Sequence, residues 1–223
     1  MSEELGGATS LSRLRRLPEK GAYDAETIHA ILDATSVCHV ATVVDGQPIV
    51  LPSLHARDGD SLLLHGSRSS RLLRAMVAAE SVCVAVTLVD GLVVARSTFE
   101  SSVAYRSAVV FGPAELLDDP DERSIALDRL IDGLLPGRSA EVRPSTPEEL
   151  RRTSVVRVRI AEASAKVSIG PPDDGPDDVL GDAWAGVVPL ETRWGVPEPA
   201  PDGAVGRGEV PVPPSVLNLE GGL

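Results

Sequence analysis

Val37-Cys38-His39-Val40-Ala41-Thr42-Val43-Val44, then Asp45-Gly46, then Gln47-Pro48-Ile49-Val50-Leu51-Pro52-Ser53-Leu54-His55 is the stretch on which the fold turns. Two β-rich runs flank a dipeptide that tolerates positive φ at both positions, which a two-residue type I′ hairpin turn demands. Such a turn pairs Val44 with Gln47. It follows that Val40 lies opposite Leu51, His39 opposite Pro52 and Cys38 opposite Ser53. Both faces of this hairpin are largely apolar, whereas a sheet with one wet face alternates with polar residues. The hairpin is therefore covered twice, by a closed barrel inside and by a helix or a partner outside.

The same grammar continues outward. Asp58-Gly59 turns into a strand over 61–65, and Val82 to Val89 with Leu92 to Thr98 read as a second hairpin around Asp90-Gly91. Residues 105–117 read as a long strand interrupted at Gly112-Pro113, and 154–160 as a final strand. Helices are expected over 25–34, where Ile28, Ile31 and Leu32 share a face behind Asp24, over 69–80 with the stripe Leu72, Leu73, Met76 and Val77, over 120–135, and after the capping sequence Thr146-Pro147-Glu148-Glu149. The expected architecture is mainly β with flanking α-helices, a six- to seven-stranded antiparallel split barrel over 21–168. Residues 1–20 read as a mobile arm. Residues 169–223, rich in Pro, Gly and acid, read as a partly disordered extension in which Trp184, Val187, Val188 and Leu190 dock on the barrel or a partner.

One stretch carries chemistry. Leu62-Leu63-Leu64-His65-Gly66-Ser67-Arg68-Ser69-Ser70-Arg71-Leu72-Leu73-Arg74 is an apolar strand turning through small polar residues into a helix start. Helix N-termini carry partial positive charge, so Arg68, Arg71 and Arg74 there cost about 0.3–1 kcal/mol each unless an anion is present. Gly66 lets a ligand approach the backbone. Serine hydroxyls, N–H groups and bidentate guanidinium then suit a phosphate. The competing reading is a capped surface helix with solvated arginines.

Composition removes other classes. A formal net charge of −12 repels nucleic acid and anionic membrane surfaces, so the arginines point to a small anion. No apolar segment reaches membrane-span length and no signal-peptide core opens the chain, which makes a cytoplasmic location the expectation. Cys38 and Cys83 read as buried free thiols. His29, His39, His55 and His65 form no close ligand pair, so no metal is expected, and no serine has a hydrolase arrangement around it.

Taken together, Cys38-His39-Val40, Asp45-Gly46-Gln47-Pro48, Pro52, the strand ending at His65, the Ser/Arg helix start and Tyr105-Arg106-Ser107 leading to Gly112 resemble the pyridoxamine-phosphate-oxidase-like split barrels, especially the branch similar to Nim-type nitroimidazole-resistance flavoproteins. The resemblance implies a homodimer with FMN at the subunit interface. Its phosphate would be held by Gly66, Ser67, Arg68, Ser69, Ser70 and Arg71. Pro52, Ser53, Leu54 and His55 would run beside the isoalloxazine ring, and Tyr105, Arg106 and Ser107 match a strand that meets the flavin. The implied activity is that of an FMN-dependent oxidoreductase on a small organic substrate, with NAD(P)H as electron donor. The alternative is a binding protein without turnover for flavin, deazaflavin or haem. Two departures stand out: the acidic run 173–182 replaces the basic C-terminal motif of true pyridoxamine-phosphate oxidases, and Arg71 stands where Nim-type proteins can carry histidine.

Overall fold

The computed structural model describes residues 9–200 and 210–221. Its ten strands form one antiparallel sheet: β1 (Gly21–Ala22), β2 (Val37–Val44), β3 (Gln47–Arg57), β4 (Ser61–Ser67), β5 (Val82–Val94), β6 (Ser102–Gly112), β7 (Ala114–Leu116), β8 (Thr153–Arg159), β9 (Glu162–Ser168) and β10 (Gly186–Pro189). Three of these are two to four residues long, which leaves seven full strands. The spatial order is β1-β9-β6-β5-β2-β3-β4-β8-β7, with β10 added to β5.

The β2–β3 hairpin has the register expected from its turn, with Val44 opposite Gln47, His39 opposite Pro52 and Cys38 opposite Ser53. Asp45 and Gly46 take φ of 52° and 76°, the left-handed values of a type I′ turn. Closure comes from Gly112-Pro113. At that corner β6 leaves β5 and β9 and continues as β7, which pairs with β8 on the far side of the ring. A Cβ on Gly112 would lie 1.7 Å from the Arg159 carbonyl oxygen, so only glycine permits the crossing. Pro113, which has no N–H to give a ladder, breaks the pairing there.

Inside the ring Cys38, Val40, Leu62, Leu64, Val84, Val110, Val156 and Val158 close around Ile28, Ile31 and Leu32 of α1 (Ala25–Asp33), whose N-cap Asp24 accepts from the Thr27 N–H. The apolar stripe of α2 (Arg71–Ala78) is narrower than its sequence suggests. Leu73 and Met76 are buried, but Val77 is exposed. Outside, α3 (Pro120–Leu134) covers one half of the sheet through Ala126 and Leu130 on Ala56, Leu63 and Val155. The other half, on β2, β3 and β5, has no cover among the described residues: Val37, Val43 and Val50 are 51%, 61% and 61% exposed.

The structure corrects three expectations. Asp90-Gly91 is not a hairpin turn. β5 runs straight through it, with a bulge that slips the register between Val89–Tyr105 and Gly91–Ala104, and the reversal occurs at 95–101. β9, composed largely of small and polar residues, was missed; it pairs along Tyr105 to Phe111. The described part of the arm, 9–20, is hydrogen-bonded to the rest of the chain, whereas the extension docks through Val187 and Val188 as expected. In the arm, Leu14 N–H donates to the Tyr23 hydroxyl (2.9 Å), Thr9 bonds Glu162 and Lys20 donates to Ser168, while residues 1–8 lie outside the described residues. The extension adds β10 to β5 and is pinned where the Arg96 N–H and Nη1 each donate to Asp174 at 2.7 Å. Further on, α6 (Pro214–Leu217) docks through Ser215, whose N–H and hydroxyl donate to Glu141; residues 201–209 lie outside the described residues.

Candidate functional site

The candidate anion cradle lies where β4 ends. Gly66 and Ser67 still pair with Ser154 and Thr153 of β8, and the chain then turns on a Ser70 N–H to Ser67 carbonyl bond of 2.9 Å. Ser70 caps α2, its hydroxyl accepting from the Leu73 N–H at 3.3 Å. The N–H groups of Arg71 and Leu72 begin the helix and have no intrahelical acceptor. Ser67 and Ser69 bring their exposed hydroxyls within 3.0 Å of each other. Arg71 reaches Asp45 in the hairpin turn at 3.2 Å, with the two side chains 68% and 88% exposed. A pair so exposed holds its arginine weakly, so a phosphate can compete for it.

Beside the cradle lies a cleft of about 450 Å³, lined by His65, Gly66, Ser67, Glu149, Arg152 and Thr153. Three of those residues come from α4 (Pro147–Arg152) and the start of β8; the sequence reading placed Glu149 in a helix cap and did not single out Arg152 or Thr153. Glu149 does close that capping box, and it is also clamped by Arg143. The Arg143 guanidinium, with help from Thr146, pushes its carboxyl down to about 2. With the Glu149 carboxylate paired to Arg143, Arg152 stands as a second cation beside the cradle. The Arg68 N–H donates to the Arg152 carbonyl at 3.2 Å, which ties the two walls together.

Pro52, Ser53, Leu54 and His55 lie on β3 with alternating faces. β4 pairs only with His55 to Arg57, so the β3 backbone before His55 has an open side next to the cradle. The His55 ring turns inward and is buried; its Nε2 lies 3.0 Å from the Leu32 carbonyl oxygen, which requires a proton on that nitrogen. Burial lowers its pKa and keeps it neutral. Within one chain, this ring is a core group rather than a ligand contact.

Tyr105, Arg106 and Ser107 lie on β6, with β5, β2 and β3 between them and β4, so a single chain does not bring them to the cradle. Arg106 has its anion inside the chain. Its Nε and Nη2 donate to the Asp90 carboxylate at 3.0 and 2.7 Å, an arrangement that lowers the Asp90 pKa and raises that of Arg106. Tyr105 and Ser107 alternate with it. By register they share the outer sheet face with Val109, Ala85, His39 and Pro52. Among the described residues no group of His, Cys, Asp and Glu is placed to hold a metal ion.

A family model described as pyridoxamine 5'-phosphate oxidase matches residues 24–167. The chain belongs to that family. A search of curated proteins returned no match. Among solved structures, the flavocytochrome Anf3 from Azotobacter vinelandii is 37% identical, with a TM-score of 0.88 over 95% of this chain and 97% of its own. The FAD and heme binding protein from Mycobacterium smegmatis is 43% identical, with a TM-score of 0.85 over 90% of this chain and 97% of its own. A candidate 5-nitroimidazole antibiotic resistance protein from Bacteroides thetaiotaomicron shares the fold, with 22% identity and a TM-score of 0.57 over 66% of this chain and 86% of its own. No described helix is long and apolar enough to cross a membrane.

Proposed function

We propose that this chain is a flavin-dependent oxidoreductase that works as a homodimer, binds its flavin as FAD, and carries haem as a second group. One observation carries the reading. The two relatives named for flavin with haem, or as a flavocytochrome, match 90% and 95% of the chain, well beyond the 24–167 core, so the likeness includes the docked extension. The cradle supports the flavin half. FMN and FAD both present a phosphate on the ribityl chain, and Ser67, Ser69, the first N–H groups of α2, Arg71 and Arg152 suit that group. The FMN that the resemblance implies and the FAD named for the Mycobacterium smegmatis protein are alike at this position, and that relative favours FAD.

The homodimer is supported by the uncovered half of the sheet. Apolar residues on β2 and β3 face outward there, and Tyr105 and Ser107 share that face. A second copy laid on it would bury the patch and give the flavin a second wall. The flavin supplies the redox chemistry when bound, and the protein supplies orientation, hydrogen bonds and exclusion of water. A small organic substrate and a reduced nicotinamide are the expected partners.

The test is the purified protein itself. Heat-released cofactor should run as FAD, the yellow colour should bleach with NADH or NADPH without air, and light scattering should give twice the 23.4 kDa chain mass. Released FMN would overturn the dinucleotide, absence of flavin the whole reading, and colour that nicotinamides leave unchanged would favour binding without this donor. Arg71→Ala should weaken FAD roughly 10- to 100-fold while leaving riboflavin binding unchanged.

A further inference from the structure

We infer that His39, at the centre of the uncovered sheet face, is the residue that would hold haem through its imidazole. This rests on the haem part of the function proposed above and assigns it a residue.

The four histidines divide by surroundings. His29 lies 3.3 Å from an Asp60 carboxylate oxygen, and its side chain is 22% exposed. His55 is buried on the Leu32 carbonyl. His65 opens on the polar cleft among Ser67, Glu149 and Arg152. His39 differs from all three. It is exposed, its strand neighbours across the sheet are Pro52 and Ala85, and its ring has no hydrogen bond or ion pair among the described residues.

Haem asks for two things, an unprotonated imidazole nitrogen for the iron and an apolar ledge for the porphyrin. Both ring nitrogens of His39 are uncommitted. Along its own face lie Val37, Ala41 and Val43 on β2, Val50 and Pro52 on β3, and Ala85 on β5, with Val37, Val43 and Val50 all more than half exposed. His65 meets only the first requirement, because its surroundings are ionic. A second copy covering this face would bury an imidazole that has no partner, which is unfavourable for a polar group. Coordination to iron removes that cost. Such a bond would use a nitrogen lone pair of the ring and need no electron from elsewhere. Lys166, which pairs with Ser107 on the same face, is a cation suited to a propionate at the rim.

Hemin titration of the flavin-loaded protein tests the assignment, read by the Soret band and electron paramagnetic resonance rather than by turnover. The native protein should take up one haem per chain. His39→Gly should weaken haem by roughly 10- to 100-fold or more, and added imidazole should restore the native spectrum, with flavin content unchanged. His65→Ala should bind as the native protein does. Retention of native haem binding by His39→Gly, or its loss in His65→Ala alone, overturns the inference while leaving the haem reading intact. A native protein that takes up no haem overturns both. Because His39 is exposed, His39→Gly should keep the native circular dichroism, and loss without imidazole rescue counts against ligation.

Discussion

The chain contains two Asp-Gly pairs set between runs of β-branched residues, and they do opposite things. Asp45-Gly46 reverses the chain. Both residues adopt positive φ, the Asp45 side chain is 88% exposed, and a Cβ on Gly46 would meet nothing within 4 Å. Asp90-Gly91 lets the chain go straight on. Neither residue has positive φ, Asp90 bulges to present its carboxylate to Arg106, and Gly91 is buried so closely under β10 that a Cβ would lie 2.5 Å from the Val188 carbonyl oxygen. Turn propensity is a local quantity, and at Asp90 it loses to two distant partners, an arginine 16 residues later and a strand almost 100 residues later. One glycine is there for its dihedral, the other for its lack of a side chain.

That contrast can be broken by substitution. Gly91→Ala should have the largest effect, about 2–3 kcal/mol, because its obstacle is backbone. Limited proteolysis should then cut within 171–200 faster than in the native chain, and urea unfolding should report the loss. Asp90→Ala should come next at about 1–2 kcal/mol, reduced from the value for a fully buried pair because both side chains are partly exposed. Acid separates Asp90 from Asp45 as well. The folded pKa of Asp90 is depressed by Arg106, so its contribution is present above the unfolded carboxylate value and is lost as pH falls through the lower folded value. The stability gap between the native protein and Asp90→Asn should therefore close on acidification from pH 7 to about pH 2. Gly46→Ala should cost about 1 kcal/mol through its positive φ alone, leaving β10 docked. Asp45→Asn is the smallest, under about 0.5 kcal/mol in stability. By releasing Arg71 it should tighten flavin binding about two- to fivefold, measured by fluorescence quenching. A larger loss at Gly46 than at Gly91 would reverse the assignment of roles.

The same contrast explains what could be read from the residues. Where structure is local it was legible: the register of β2 on β3, the Asp24 cap with Ile28, Ile31 and Leu32 behind it, and the Thr146–Glu149 capping box all follow from neighbours in sequence. Ala163 and Ala165 of β9 alternate correctly and are fully buried, yet they are too small to announce a strand. In the candidate site, the strand, turn and helix start over Gly66 to Arg71 were legible because they are contiguous. Arg152 did not, because it arrives over the cradle from 80 residues away, inside a helix whose other features all concern its own caps. Arg106 was matched to a strand that meets the flavin; that its carboxylate partner is Asp90 was concealed by reading Asp90 as a turn.

The corner at Gly112 also sets an order of events during synthesis. The ring can close only when β8 has been made, since β8 is the strand that joins β4 on one side and β7 on the other. A chain still on the ribosome and ending before Thr153 can pair β2 with β3, β3 with β4, and β5 with β6, but it presents the outer edge of β4 as an unsatisfied template. Closure is thus the late event, and the interval before it is when a nascent copy is most open to joining a neighbouring chain by its edge instead of its own last strands.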